Sequence, residues 1–124
     1  MAVTFSIERF ETYLFVVVNG SIRSAEDIIG YWTPVREECE KFGLRRILVD
    51  YRDVELALDY FGMIQVSKYA QERQFHFLHF KIAYLAQPKD MQAMLDYKTP
   101  ARNRGFDFHP FTDRDSAMEW LLAQ

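Results

Sequence analysis

Val3, Phe5 and Ile7 alternate with Thr4, Ser6 and Glu8 at the head of the chain, the two-residue period of a strand with one wet face, which belongs at a sheet edge. Residues 13–18, YLFVVV, are apolar without a break and so lie further inside, and the short link at 9–12 favours an antiparallel hairpin with the first strand. Asn19-Gly20 is read as the turn that ends it. The stretch at 46–63, RILVDYRDVELALDYFGM, organises the rest of the chain. Its Ile47, Leu48 and Val49 suit a strand buried on both faces, Asp50 and Asp53 mark an acidic turn at the carboxyl end, and Asp59 is placed to cap a helix running to about residue 73. In open α/β sheets the crevice outside such strand ends is where ligands and partners bind.

The remaining pattern is helical, with two more strands. Ser24 and Asp27 have capping-box spacing, and Ile28, Trp32, Val35, Cys39 and Phe42 recur at helical spacing up to Gly43, a left-handed cap. Pro34 interrupts that stripe and predicts a kink, or a restart with Thr33 as N-cap. The helix opened by Asp59 has Tyr60, Met63, Ile64 and Ala70 on its buried side, with Phe61, Val66 and Tyr69 elsewhere on the wheel. Residues 82–86, IAYLA, read as a second interior strand, and Met91, Met94 and Leu95 belong to a third helix disturbed at Pro100. A short strand comes next, at 106–111. Thr112 and Asp115 then open a last helix with Ala117, Trp120 and Leu121 as its apolar stripe. The order β-β-α-β-α-β-α-β-α predicts an α/β fold: a single, mostly parallel five-stranded sheet with an antiparallel N-terminal edge strand, in one domain spanning 1–124.

Composition narrows the class of protein. A net charge of −3 argues against nucleic-acid binding, which requires a basic face. One cysteine, Cys39, cannot form an internal disulfide or a thiolate cluster, so a reducing, cytoplasmic setting is expected. No apolar run is long enough to span a bilayer, and the amino terminus has neither a basic leader nor a continuous apolar stretch. Aromatics make up 16% of the residues, more than one small core needs.

The element order, the central ILVDYRDV followed by Asp59-x-x-Gly62, and the closing FTDRDSAMEWL resemble the STAS family, the SpoIIAA-like fold of anti-sigma-factor antagonists and of sulfate-transporter cytoplasmic domains. ARNRG at 101–105 with residues 111–121 resembles still more a bacterial branch labelled STAS-like or SEC14-like. The likeness spans nearly the whole chain. It implies a regulatory protein-interaction module or, through the SEC14-like label, a carrier or sensor with an apolar pocket between the second helix and the sheet. The antagonists carry a phosphorylatable Ser just before the Gly of the helix start. Here Tyr60 and Phe61 precede Gly62, so a kinase-driven partner switch at that position is not carried over.

Candidate chemistry is sparse, and neither an enzyme nor a bound cofactor is expected. Asp50, Asp53 and Asp59 surround one expected turn and could hold a divalent cation; the plainer reading has the first two fixing the turn and the third capping a helix. Asp50 as a receiver-like phosphoacceptor lacks the second acidic cluster that a magnesium site needs. His76, His79 and His109 lack zinc spacing, and Cys39 lies on an apolar stripe where a thiol is inert packing. Arg102 and Arg104 beside Gly105 could contact an anion or an acidic partner, or complement a helix end. Tyr60, Phe61, Tyr69, Phe75 and Phe77 are the surplus rings. They are read as a surface for a homodimer or another protein partner, or as the lining of a pocket for a small apolar molecule.

Overall fold

The structure, a computed structural model, describes residues 2–72, 80–103 and 106–123. Phe75, Phe77, Arg104, Gly105 and the histidines at 76 and 79 lie outside the described residues, as does the side chain of Ala70. Strands β1 (Thr4–Arg9), β2 (Leu14–Ile22), β3 (Arg46–Leu56), β4 (Lys81–Leu85) and β5 (Asp107–Phe111) lie side by side in chain order. β1 pairs antiparallel with β2, and every other pairing is parallel. This is the expected sheet. Pro110 is accommodated because β5 is an edge strand, where a missing N–H leaves no ladder bond unmade.

Helices α1 (Ala25–Phe42), α2 (Tyr60–Glu72) and α3 (Met91–Asn103) connect successive parallel strands. Because the strands advance across the sheet in one direction, right-handed crossovers put all three helices on the same face and leave the other to α4 (Arg114–Leu122). The core divides accordingly. Ile47, Val49, Ile82 and Phe108 face the three-helix layer, whereas Leu48, Ala83 and Leu85 pack under Ala117 and Leu121 of α4.

Several local expectations are corrected. Asn19-Gly20 does not end β2, which runs on to Ile22 with Gly20 at a φ of 112°. Asp50 and Asp53 stand within β3 instead of in a turn. The β2–β3 register sets Val17 opposite Asp50 but Asn19 opposite Asp53, so β3 carries one extra residue, a β-bulge. Proline interrupts neither helix. Pro34 sits inside α1 because the carbonyl it frees, on Gly30, is on the exposed side, and Thr33, far from restarting the helix, donates to the Ile29 carbonyl at 3.2 Å. Pro100 lies inside α3 with Asp96 likewise exposed. α4 is capped one residue away from the expected Thr112 and Asp115 pattern, by Asp113, whose carboxylate accepts the Ser116 N–H at 2.8 Å. Gly43 ends α1 in the left-handed conformation, as read from the sequence, with its N–H on the Cys39 carbonyl.

Candidate functional site

The bulge accounts for the acidic residues of β3. An extra residue leaves the Arg52 N–H without a ladder partner, and the Asp50 carboxylate takes it at 2.9 Å while holding the Arg52 guanidinium at 3.0 and 2.8 Å. Burial alone would raise the Asp50 pKa, but the side-chain and backbone hydrogen bonds from Arg52 outweigh it and hold the carboxyl below its usual value. β4 ends opposite Asp50, and beyond it the Gln87 side chain donates to the carbonyls of Arg52 and Val54 at 2.9 and 3.2 Å, closing the edge that β4 leaves bare. Asp53 faces out beside Asn19. Asp59 caps α2 through the Gly62 N–H at 2.8 Å. The three carboxylates therefore serve different local ends, and among the described residues no group of three His, Cys, Asp or Glu gathers to hold a metal.

The second helix is where the sequence-derived residues converge. Its inward face includes Met63 and Ile64, as expected, together with Val66, Ser67 and Tyr69, but not Tyr60. Tyr60 is 54% exposed and Phe61 69%, so two of the surplus rings do stand in solvent. Tyr69 turns inward. α2 packs mainly on α1 and α3, standing over the sheet rather than on it. Beneath it lies an apolar cavity of about 70 Å³ walled by Trp32 of α1, Val66 of α2, Met94 of α3, and Tyr51, Tyr84 and Phe108 of the sheet. The bulge helps to build this cavity. It switches the inward-facing residues of β3 from odd to even numbers, so that Tyr51 and Leu56 both present themselves to the same chamber.

Among the described residues, the polar side chains that line the chamber are Tyr51, Tyr69, Tyr84, Tyr97, Ser67 and the Trp32 indole, with Tyr31 behind them. Tyr31 and Tyr51 share a hydrogen bond, Tyr84 is within hydrogen-bonding reach of Tyr31 and of the Trp32 indole, and Tyr97 donates to the Met63 carbonyl at 2.6 Å. Burial raises the pKa of Tyr31, Tyr51 and Tyr84, keeping all three neutral. These residues were not singled out from the sequence. The available signal was a tyrosine in each of the two interior strands that carry the apolar runs, at 51 and 84, since a buried hydroxyl needs a partner there.

The other candidates are occupied elsewhere. Arg102, on the last turn of α3, lies 3.9 Å from Asp107, both side chains exposed. His109 Nδ1 meets Lys98 Nζ at 2.8 Å, and burial followed by the Lys98 charge lowers its pKa. Cys39 is fully buried, and burial pushes its thiol up to about 12, which leaves it unreactive. No described helix is long and apolar enough to cross a membrane.

No family model matches the chain, and no curated protein matches it in sequence. Among solved structures it is similar to an uncharacterised protein of the DUF3478 family from Shewanella loihica PV-4 with a SpoIIAA-like fold. The TM-score is 0.60 and the identity 20%, over 97% of this chain and 93% of that one. A likeness at that identity speaks to architecture. Five strands in the order β1-β2-β3-β4-β5, three crossover helices on one face and a closing helix on the other give this chain a SpoIIAA-like fold.

Proposed function

We propose that this chain is a non-enzymatic binding module that takes a small apolar molecule beneath α2. The observation that carries the reading is the apolar cavity under that helix, since concave sites lined by hydrophobic and aromatic side chains with a few placed polar groups are the usual form of small-molecule sites. Of the candidates among the described residues, Asp50 holds Arg52 and the Cys39 thiol is buried. At about 70 Å³ the chamber is roughly half the size of the ~150 Å³ apolar cavity that admits benzene. A ring-sized ligand therefore enters as α2 moves outward, a motion the helix can make because it rides on its neighbouring helices.

The exposed pair Tyr60 and Phe61 supports a second reading within the same frame, contact with a second copy or another protein. Both rings sit on the helix that roofs the cavity. A ligand that favours a lifted α2 shifts their position too, which would make the module a sensor.

Native mass spectrometry of the protein purified from its own cells separates these readings. The expected result is a lipid-sized or smaller adduct that is lost on denaturation and is absent from a folded Val66→Trp variant, whose new ring fills the chamber. An adduct-free dimer would favour contact through Tyr60 and Phe61. An adduct-free monomer would contradict both.

A further inference from the structure

Resting on the ligand-binding reading, we infer that the molecule held beneath α2 is neutral and pairs an apolar body with one hydrogen-bonding group, such as a hydroxyl, that meets the hydroxyls of Tyr51 and Tyr84. Two independent features of the chamber lead there. Among the described residues no charged side chain lines it. A carboxylate or an ammonium inside would be buried without a counter-charge, which is costly enough that such groups are normally excluded or neutralised. A fatty acid or an amine is thus the wrong class.

The second feature is the proton count of the tyrosine row. The Tyr31 hydroxyl bonds that of Tyr51 and lies within reach of that of Tyr84. Three hydroxyls in a row bring three protons to two shared hydrogen bonds. One proton is therefore left over: in either head-to-tail orientation, with the Trp32 indole N–H given to Tyr84, it falls on an end member, Tyr51 or Tyr84, whereas both ends donating to Tyr31 would leave it on Tyr31. Both ends line the cavity. Tyr84 lies on an interior strand, is only partly buried and lines the chamber. A purely apolar occupant would leave this spare donor unsatisfied in a dry site, whereas a ligand oxygen would accept it. The Tyr97 proton is already given to the Met63 carbonyl.

Three six-carbon rings that are transparent in the protein's aromatic region separate the outcomes: cyclohexanol, methylcyclohexane and cyclohexanecarboxylate. The readout is the indole N–H resonance of Trp32, which lines the chamber, with that of Trp120 on the α4 face as internal reference. Cyclohexanol is expected to shift the Trp32 signal alone and to bind about tenfold more tightly than methylcyclohexane, the value of one well-placed hydrogen bond. Cyclohexanecarboxylate is expected to leave the signal unmoved at the same concentrations. Tyr84→Phe and Tyr51→Phe, each checked for folding by circular dichroism, should between them bring the alcohol and the hydrocarbon to within about threefold. Equal binding of the alcohol and hydrocarbon by the unmodified protein would overturn the inference while leaving the cavity a ligand site, as would a preference for the carboxylate. Failure of all three rings to move the Trp32 signal would overturn the inference and the binding reading together.

Discussion

Leu48→Ala should destabilise the domain by about 2–5 kcal/mol, the range for deleting a buried leucine side chain beyond Cβ. Leu48 has no exposed surface and is enclosed by Tyr13, Ala83, Leu85, Ala117 and Leu121. Its face of the sheet is covered by α4 alone, so the lost contacts are not shared among several helices. The gap cannot close easily either, because β3 is fixed on both sides by hydrogen-bonded neighbours. Urea unfolding should show a lower midpoint with an unchanged slope. A melt that coincides with the parent protein would mean that α4 does not seal this side of the sheet.

Gly20→Ala should cost about 1–3 kcal/mol, the range for a residue forced into a sparsely populated backbone region. A φ of 112° is one that residues with a side chain rarely adopt, and an added Cβ would meet the Ala2 carbonyl oxygen at 2.5 Å and the Val3 Cα at 3.1 Å. The damage should be local at first. Hydrogen exchange in β1 is expected to quicken, because the segment leading into it must move, while β4 and β5 keep their protection. Gly43 supplies the contrast: its φ of 67° is ordinary left-handed backbone with open space around it, so Gly43→Asn should be tolerated. Unchanged stability and exchange in Gly20→Ala would show that β2 does not pass through that conformation.

The same two regions show how much of the fold was legible in the sequence. Continuous apolar runs located β2, β3 and β4, and the alternation at Val3, Phe5 and Ile7 located the edge strand, because a period of two arises directly from which faces are wet. The bulge broke that logic. With one extra residue at 50–53 the inward set changes parity, so Asp50, Arg52 and Asp53 read as the polar exit of a short strand when they are the outward face of a long one. Asn19-Gly20 misled for the related reason that a turn-forming pair can also serve a strand continuing beside a bulge. Pro34 and Pro100 were read as breaks because sequence does not show whether the carbonyl a proline frees can reach water. In both cases the residue concerned is exposed.

The candidate site was legible only as an excess of rings. Phe61 is exposed as expected and Tyr60 is exposed against its expected place on the buried side, and whether Tyr69 faces in or out depends on α2 standing off the sheet, which no helical wheel conveys. The tyrosine row joins positions 31, 51 and 84 from three separate elements, α1, β3 and β4, and spacing along the chain carries no trace of it.

The claim that α2 roofs a ligand-accepting chamber is tested most directly by diffraction from crystals held under xenon, a gas that enters dry apolar cavities. A xenon site enclosed by Trp32, Val66 and Met94 is the expected result. Xenon bound elsewhere on the protein, with that space empty, would contradict it.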